Sequence, residues 1–177
     1  MRIISGKYKS RRFDIPKDFK ARPTTDFAKE NIFNVIGNRM DLEDTTGLDL
    51  FAGTGGIGFE LLSRGCREVV CVETEAAHLA FIKKVKAELK ADQLLVLRAD
   101  AMKYIATTDR TFDFIFADPP YDFQSIPPIP ECILSRRLLN PGGIFVMEHS
   151  KAYDFSHLPG FWQRRVYGAV NFSVFVG

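Results

Sequence analysis

The stretch Thr46-Gly47-Leu48-Asp49-Leu50-Phe51-Ala52-Gly53-Thr54-Gly55-Gly56-Ile57-Gly58 decides the fold. It predicts a short apolar strand, a turn with four glycines in six positions, and the start of a helix. Glycine lets the backbone take a positive φ and approach a ligand closely at the amino end of a helix. Gly53, Gly55 and Gly58 match the dinucleotide pattern G-x-G-x-x-G, and Glu73 follows Gly53 by twenty residues. The turn therefore predicts a site for a dinucleotide or for another adenosine-containing cofactor.

The composition is that of one soluble globular domain. The chain has 177 residues, of which 46% are hydrophobic and 26% are charged. No apolar run approaches the roughly 20 residues of a membrane helix, and the amino terminus lacks a signal-peptide core. The three cysteines and three histidines do not have the spacing of metal ligands. We therefore expect a cytoplasmic monomer that binds neither a metal nor a membrane.

The first 22 residues are strongly basic. They contain eight lysines and arginines but only two aspartates, a charge of +6, whereas the net charge of the whole chain is +2. The other 155 residues therefore carry a charge of −4. A basic arm on an acidic body predicts a polyanionic partner that contacts one end of the molecule.

Residues 1–16 predict a short hairpin that turns at Ser5-Gly6. If the chain is extended over residues 7–11, Lys7, Lys9 and Arg11 share one face, and Tyr8 lies on the other. Such a strip suits phosphates and a stacked base. A solvated edge strand whose charges deter aggregation is an equal alternative.

The segment Thr24-Thr25-Asp26 predicts the start of a helix that runs to about Asn38. Gly37 ends its apolar pattern, which is formed by Ala28, Ile32, Val35 and Ile36. We expect residues 1–40 to pack, as a small hairpin and helix, on a main domain of residues 41–177.

Strand and helix patterns alternate after the glycine turn. Helices are predicted at Gly56–Arg64, Glu75–Lys90, Ala101–Ala106 and Ser125–Leu139, and strands at Glu68–Glu73, Leu94–Arg98, Phe112–Ala117 and Gly143–Glu148. The last two strands, Phe161–Tyr167 and Asn171–Val176, flank Gly168-Ala169 as in a hairpin. The pattern predicts a Rossmann-like, seven-stranded α/β sheet that is mostly parallel and closes with an antiparallel strand.

One acid stands at or just past the end of each of the first four strands, namely Asp49, Glu73, Asp100 and Asp118. Ligands of such sheets bind outside the carboxyl ends of the strands. Acids there would repel the phosphates of a dinucleotide or a nucleoside triphosphate, and no G-x-x-x-x-G-K-S/T loop is present. S-adenosylmethionine would fit: Glu73 could accept the ribose hydroxyls, Asp100 the adenine amine, and Asp49 could face the amino-acid portion. For each acid alone, and above all for Asp100, a helix cap or turn is the alternative role.

The fourth acid begins the segment Asp118-Pro119-Pro120-Tyr121. The two prolines fix φ and donate no N–H, so the backbone after this strand is rigid and its carbonyls lack local partners. The Asp118 carboxylate and the Pro119 carbonyl could accept both N–H bonds of a nucleobase amine and aim its lone pair at an electrophilic methyl group. Tyr121 could stack on the base. A rigid turn with no chemical role is the alternative.

These motifs resemble those of class I S-adenosylmethionine-dependent methyltransferases that modify amino nitrogens. The resemblance is carried by Leu48–Gly58 and by Asp118-Pro119-Pro120-Tyr121. Arg2-Ile3-Ile4-Ser5-Gly6, Arg22-Pro23-Thr24-Thr25-Asp26 and Glu30-Asn31-Ile32-Phe33-Asn34 are similar to segments of the RsmD-type 16S ribosomal RNA guanine-N2 methyltransferases. Tyr167-Gly168 is also similar, so the resemblance spans nearly the whole chain.

The resemblance implies methylation of the N2 amine of one guanine in the head of the small ribosomal subunit, with S-adenosylhomocysteine as the product. It implies three sets of residues. The catalytic set is Asp118, Pro119, Pro120 and Tyr121. The cofactor set is Asp49, Phe51, Ala52, Gly53, Gly55, Glu73, Thr74, Asp100, Ala101 and Asp118. The RNA-binding set is Arg2, Lys7, Lys9, Arg11, Arg12, Arg22 and Thr24.

Three other functions remain open at this stage. A DNA amino-methyltransferase acting on adenine N6 or cytosine N4 shares the Asp-Pro-Pro-Tyr motif, although this chain has no room for a separate target-recognition domain. A dinucleotide oxidoreductase is disfavoured by the acidic strand ends. An RNA-binding protein that has lost its methyltransferase activity is disfavoured by the intact catalytic motif.

Overall fold

The computed structural model describes residues 1–20, 24–120 and 126–177. These residues form five helices and one seven-stranded sheet. The helices are α1 (Asp26–Gly37), α2 (Gly56–Ser63), α3 (Ala76–Leu89), α4 (Ala101–Thr107) and α5 (Pro128–Ser135). The strands are β1 (Thr46–Leu50), β2 (Glu68–Glu73), β3 (Leu94–Arg98), β4 (Phe112–Ala117), β5 (Leu139–His149), β6 (Phe161–Tyr167) and β7 (Val170–Val176).

The sheet has the strand order β3-β2-β1-β4-β5-β7-β6. β1 to β5 run parallel to one another, and β7 is antiparallel to both β5 and β6. The predicted Rossmann-like sheet with an antiparallel closing strand is therefore confirmed. The winding reverses between β1 and β4, which is where such sheets bind their ligands.

The apolar side chains form one layer on each face of the sheet. On one face, Phe114 and Phe116 of β4 belong to a cluster with Ile32 of α1 and Phe59 of α2. On the other face, Ile115 belongs to a cluster that includes residues of α4 and α5. Among the described residues, no helix is long and apolar enough to cross a membrane.

The amino-terminal arm pairs with itself at its two ends. Arg2 and Arg12 form an antiparallel bridge, and Met1 and Phe13 exchange hydrogen bonds. The conditional expectation of an extended segment at residues 7–11 is wrong, because residues 7–10 form turns instead. Gly6, at a φ of 81°, starts these turns, and a Cβ there would lie 1.7 Å from a backbone oxygen of α2.

The largest difference in the bounds of the other elements lies between α5 and β5. The predicted helix Ser125–Leu139 is observed only at Pro128–Ser135, and Leu139 already belongs to β5. Arg137 has a φ of 53°, a left-handed conformation that ends a helix. β5 then shifts its register against β4 before Ile144, so its first residues lack the regular alternation by which a strand is predicted.

Candidate active site

The glycine turn is held in shape by carboxylates of the neighbouring strands. The Gly53 N–H donates to Oε2 of Glu73 at 2.8 Å, and the Gly58 N–H donates to Oδ2 of Asp49 at 2.9 Å. Gly53 has a φ of 54° and Phe51 a φ of 60°. Residues other than glycine adopt this conformation rarely, and it often marks a functional site. The turn that the sequence assigns to the cofactor is thus a fixed loop between β1 and α2.

Asp49 lies inside the sheet edge, with only 2% of its surface exposed. Burial, together with the charge of Glu73, raises the pKa of Asp49 to about 8, and the hydrogen bond from Gly58 opposes this shift. Its carboxylate also lies 3.9 Å from the Cys71 thiol. Support of the turn is therefore observed, and contact with the amino-acid portion of a cofactor stays a prediction.

Glu73 joins the glycine turn to the start of the next connection. Its Oε1 accepts the N–H groups of Thr74 and Glu75 at 2.7 and 2.9 Å, and its Oε2 lies 3.3 Å from Nδ1 of His78. One carboxylate therefore orders both loops to which the sequence assigns cofactor contacts. Binding of ribose hydroxyls by Glu73 stays a prediction.

Asp100 caps α4. Its Oδ1 accepts the Lys103 N–H at 2.8 Å, and the residue is exposed, whereas Ala101 behind it is buried. The alternative role as a helix cap is thus confirmed for this acid. Its predicted contact with adenine remains a prediction.

Asp118 follows β4 and lies beside the end of β1. Its N–H donates to the Leu50 carbonyl at 3.4 Å, and Ala117 pairs with Leu50 in the sheet. Burial, and then the charges of Glu148 and Asp49, raise the pKa of Asp118 well above its usual range. The first acid of the predicted catalytic motif therefore lies next to the glycine turn, at the point where the winding reverses.

Glu148 is a fifth acid at this edge, and the sequence reasoning missed it. It follows Met147, which pairs with Ala117, so it stands beside Asp118 in the parallel register. The Thr24 hydroxyl donates to its Oε2 at 3.3 Å. Burial raises the pKa of Glu148 to about 7, although the Thr24 hydrogen bond lowers it. A signal was available, because Glu148 is the last residue of the strand predicted at Gly143–Glu148.

The rest of the predicted catalytic motif is only partly described. Pro119 is buried and Pro120 is exposed, and neither can donate a backbone N–H. Tyr121, and Arg22 of the predicted RNA-binding set, lie outside the described residues.

The predicted RNA-binding cations form two groups, one near the end of α2 and one near its start. The N–H of Lys7 donates to the Ser63 carbonyl at the last residue of α2, so Lys7 lies about 12 Å, one helix length, from the glycine turn. Arg11 pairs with Glu88 near the end of α3 at 3.0 Å. Lys9 belongs to the same turns as Lys7.

Two other cations of this set lie toward the candidate site. The guanidinium of Arg2 lies 3.8 Å from the carboxylate of Asp26 at the start of α1. The backbone of Arg12 pairs with that of Arg2 in an antiparallel β-bridge. A Cβ on Gly56, in the glycine turn, would lie 3.6 Å from the Met1 side chain. The end of the arm that carries Arg2 and Arg12 is therefore the one near the site.

Two open cavities lie at the amino ends of the strands, away from the candidate site. Their volumes are about 670 and 610 Å³, and their charged linings are partly paired, for instance Arg67 with Asp44 at 3.9 Å. Neither contains any of the strand-end acids. Within the described ranges, no group of three or more His, Cys, Asp or Glu residues is placed to hold a metal ion.

Comparison with known proteins identifies relatives along the whole chain. The family model described as "Conserved hypothetical protein 95" matches residues 1–176. "Putative rRNA methyltransferase YlbH" of Bacillus subtilis (strain 168) is 35% identical over 99% of this chain and 98% of its own. "Ribosomal RNA small subunit methyltransferase D" of Escherichia coli (strain K12) is 34% identical over 68% of this chain and 60% of its own.

Two solved structures share the fold. "Putative methyltransferase yhhF from Escherichia coli" is 26% identical, with a TM-score of 0.87 over 99% of this chain and 97% of that one. A 16S rRNA N2 methyltransferase of T. thermophilus (RsmC), in complex with AdoMet and guanosine, is 21% identical, with a TM-score of 0.69 over 89% of this chain and 44% of that one. The latter likeness is one of fold.

Proposed function

Because this chain belongs to the RsmD-type family of methyltransferases, we propose that it transfers a methyl group from S-adenosylmethionine to the exocyclic N2 amine of a guanine in 16S ribosomal RNA. We place the target in the head of the small subunit. The relatives that are named as ribosomal RNA methyltransferases support methylation of ribosomal RNA. The choice of the N2 amine and of guanine is our proposal.

One observation carries it: the Asp118-Pro119 segment lies directly beside the glycine turn. The Asp118 N–H donates to the Leu50 carbonyl, one residue before the turn begins at Phe51. A group that holds the acceptor amine is therefore adjacent to the loop assigned to the methyl donor. This adjacency supports a transfer reaction more than it supports binding alone.

The residues at this edge suit S-adenosylmethionine. Three carboxylates surround the turn. Glu73 and Asp49 accept hydrogen bonds from the N–H groups of the turn, and Asp118 lies beside its first residue. Such a set favours a positively charged ligand that carries hydroxyls and an amine over one that carries phosphates. When bound, this cofactor supplies an electrophilic methyl group on a positively charged sulfur.

The chemistry proposed for the chain is orientation. The Asp118 carboxylate and the Pro119 carbonyl would accept the two N–H bonds of the guanine amine, which is a weak nucleophile because its lone pair is delocalised into the ring. Holding both N–H bonds directs the lone pair toward the methyl group, and burial keeps water out. We propose direct transfer without a covalent enzyme intermediate, because no cysteine lies next to a proline as in cytosine-C5 enzymes. The Asp118 carboxylate would take the proton that the amine loses on methylation, and S-adenosylhomocysteine would leave with the electron pair of the broken carbon–sulfur bond.

The experiment that tests the proposal follows tritiated methyl groups from S-adenosylmethionine. Small ribosomal subunits from a strain that lacks this activity are incubated with the enzyme, with bulk DNA in parallel, and the products are digested to nucleosides. We expect label in N2-methylguanosine. Label only in DNA would transfer the assignment to a DNA amino-methyltransferase, and cofactor binding without any label would favour a non-catalytic RNA-binding protein.

A further inference from the structure

The acid that follows β5 faces the same site as the acid that follows β4. Ala117 and Met147 pair in parallel register, so Asp118 and Glu148 are the next pair along the two strands. Glu148 is 6% exposed, and burial, followed by the charge of Glu148, raises the pKa of Asp118. Two hydrogen-bond acceptors therefore stand side by side at the place where the target base must enter.

Two neighbouring acceptors distinguish the bases by the donors and acceptors on their edges. The edge of guanine presents two neighbouring donors, the N1–H and the N2 amine. Adenine and cytosine present an amine beside a ring nitrogen that is itself an acceptor. The ionised form of a carboxylate accepts but never donates, so the guanine N1–H stabilises that form, whereas the lone pair of adenine N1 or cytosine N3 repels it. In a buried site such an unmatched lone pair is costly.

We propose that Glu148 determines the specificity for guanine by accepting the N1–H of the target base while Asp118 holds its N2 amine. Thr24 acts as a positioning residue, because its hydroxyl donates to Oε2 of Glu148. This inference rests on the proposed function and adds to it the group that recognises the base. It also gives Thr24, which the sequence assigned to RNA contact, a role through another side chain.

The surroundings of Glu148 agree with this role. Burial raises the pKa of Glu148 against the Thr24 hydrogen bond, and burial, followed by the charges of Glu148 and Asp49, raises the pKa of Asp118. No lysine or arginine of the described ranges forms an ion pair with Glu148. Two N–H donors from a guanine would add hydrogen bonds to this pair of acids.

The test compares guanine with 2-aminopurine at the methylated position, once that position has been mapped by the label. 2-Aminopurine keeps the amine but carries a lone pair at N1 in place of the N1–H. RNA containing either base is assayed with the wild type and with Glu148→Gln, and kcat/KM is measured for each of the four pairs. Glu131→Gln, an exposed acid on α5, is the matched control.

We expect the wild type and Glu131→Gln to prefer guanine over 2-aminopurine by about tenfold or more, as for a well-placed base contact. Glu148→Gln should lose most of this preference, because the glutamine amide can donate to N1 of 2-aminopurine. If Glu148→Gln keeps the wild-type preference, the proposal is wrong and the proposed function stands. If the wild type labels no guanine amine at all, the proposed function itself fails.

A second variant covers the case in which Glu148→Gln does not fold. Thr24→Val removes the hydroxyl that positions Glu148 and leaves the carboxylate in place. We expect a smaller but measurable fall in the preference for guanine, together with unchanged affinity for S-adenosylmethionine. An unchanged preference in Thr24→Val would then overturn the proposal.

Discussion

Two regions of this molecule bury carboxylates in opposite ways. Glu60, on α2, is fully buried, and it accepts the N–H groups of Ile4 and Ser5 while it lies 3.6 Å from Lys29 and 2.9 Å from Arg64. Each of its two carboxylate oxygens therefore has both an N–H donor and a cation within reach. This carboxylate holds the amino-terminal arm and α1 against α2.

The acids at the carboxyl ends of the strands are buried without such compensation. The pKa is raised to about 8 for Asp49 and to about 7 for Glu148, and it is well above the usual range for Asp118, with burial as the first cause in each case. Among the described residues, no lysine or arginine forms an ion pair with any of the three. A buried carboxylate that has a cationic partner inside the chain serves the fold, whereas one that has no such cation among the described residues is available to a cationic ligand.

The largest effect is expected from Asp118→Ala. Loss of the proposed acceptor for the guanine amine should lower turnover by at least about 10³-fold, because positioning supplies much of the rate. Affinity for S-adenosylmethionine should change only a few fold. Single-turnover methyl transfer and calorimetric binding separate the two quantities, with the exposed Asp109→Ala as control. Near-normal turnover would refute the role of Asp118.

Glu60→Gln should destabilise the fold by about 3–5 kcal/mol, because it leaves Lys29 buried without its charge partner. The free energy of urea unfolding measures this loss. Glu88→Gln is the matched control, since its pair with Arg11 is half exposed and should contribute at most about 1 kcal/mol. Equal losses in the two variants would mean that the buried pairs of Glu60 stabilise the fold no more than the exposed pair of Glu88.

The strand-end acids predict an unusual dependence of stability on pH. A pKa that is raised on folding means that the folded state binds more protons, so the free energy of unfolding should fall as pH rises from about 4 to about 8. The slope is at most about 1.4 kcal/mol per pH unit for each group. Asp49→Asn should flatten it while keeping an acceptor for the Gly58 N–H.

Asp113 provides the control for this experiment. Burial opposes the shift, but hydrogen bonds from Asn140 and Thr46 lower the pKa of Asp113, so it is ionised in both states above pH 5. Asp113→Asn should therefore change the stability without changing its slope between pH 5 and 8. A flat profile in the wild type would contradict the account of the strand-end acids.

The smallest effects concern single cations of the arm. Arg12→Gln should weaken RNA binding and lower the slope of log affinity against log salt by about 0.7–0.9, whereas Lys9→Gln should change the slope less, because Lys9 lies at the far end of α2. Filter binding over a range of salt concentrations measures both slopes. Equal changes would mean that the RNA covers the whole arm.

Deletion of residues 1–16 would not be an equivalent test. Ile3 and Phe13 are buried in the core, and the backbone of Ile4 and Ser5 completes the hydrogen bonds of Glu60. Removing the arm would therefore also remove part of the fold. Substitution of exposed charges keeps the two effects apart.

The sheet could be predicted from the sequence because its signals are local. The bounds of β2, β3, β4 and β6 match the predicted strands residue for residue, and the helix periodicity of α1 ends where Gly37 interrupts it. The conformation of the arm could not be predicted in this way. It is set by contacts with Glu60 and Ser63, more than fifty residues away, which periodicity does not register.

The candidate site was predictable to the extent that it follows from strand ends. Asp49, Glu73 and Asp118 lie where parallel strands bring them together. The same rule, applied to β5, would have found Glu148. Its hydrogen bond with Thr24 joins residues 124 positions apart, so only the folded chain reveals it.

Calorimetric titration of the protein with S-adenosylmethionine at pH 7, in two buffers of different ionisation enthalpy, tests whether the strand-end acids bind the methyl donor. If these acids receive the cationic ligand, binding should lower their raised pKa values and release protons. S-adenosylhomocysteine, with a neutral sulfur, should bind with less proton release, and NADH should not bind. Equal proton release by both sulfur ligands, or tight binding of NADH, would contradict the account.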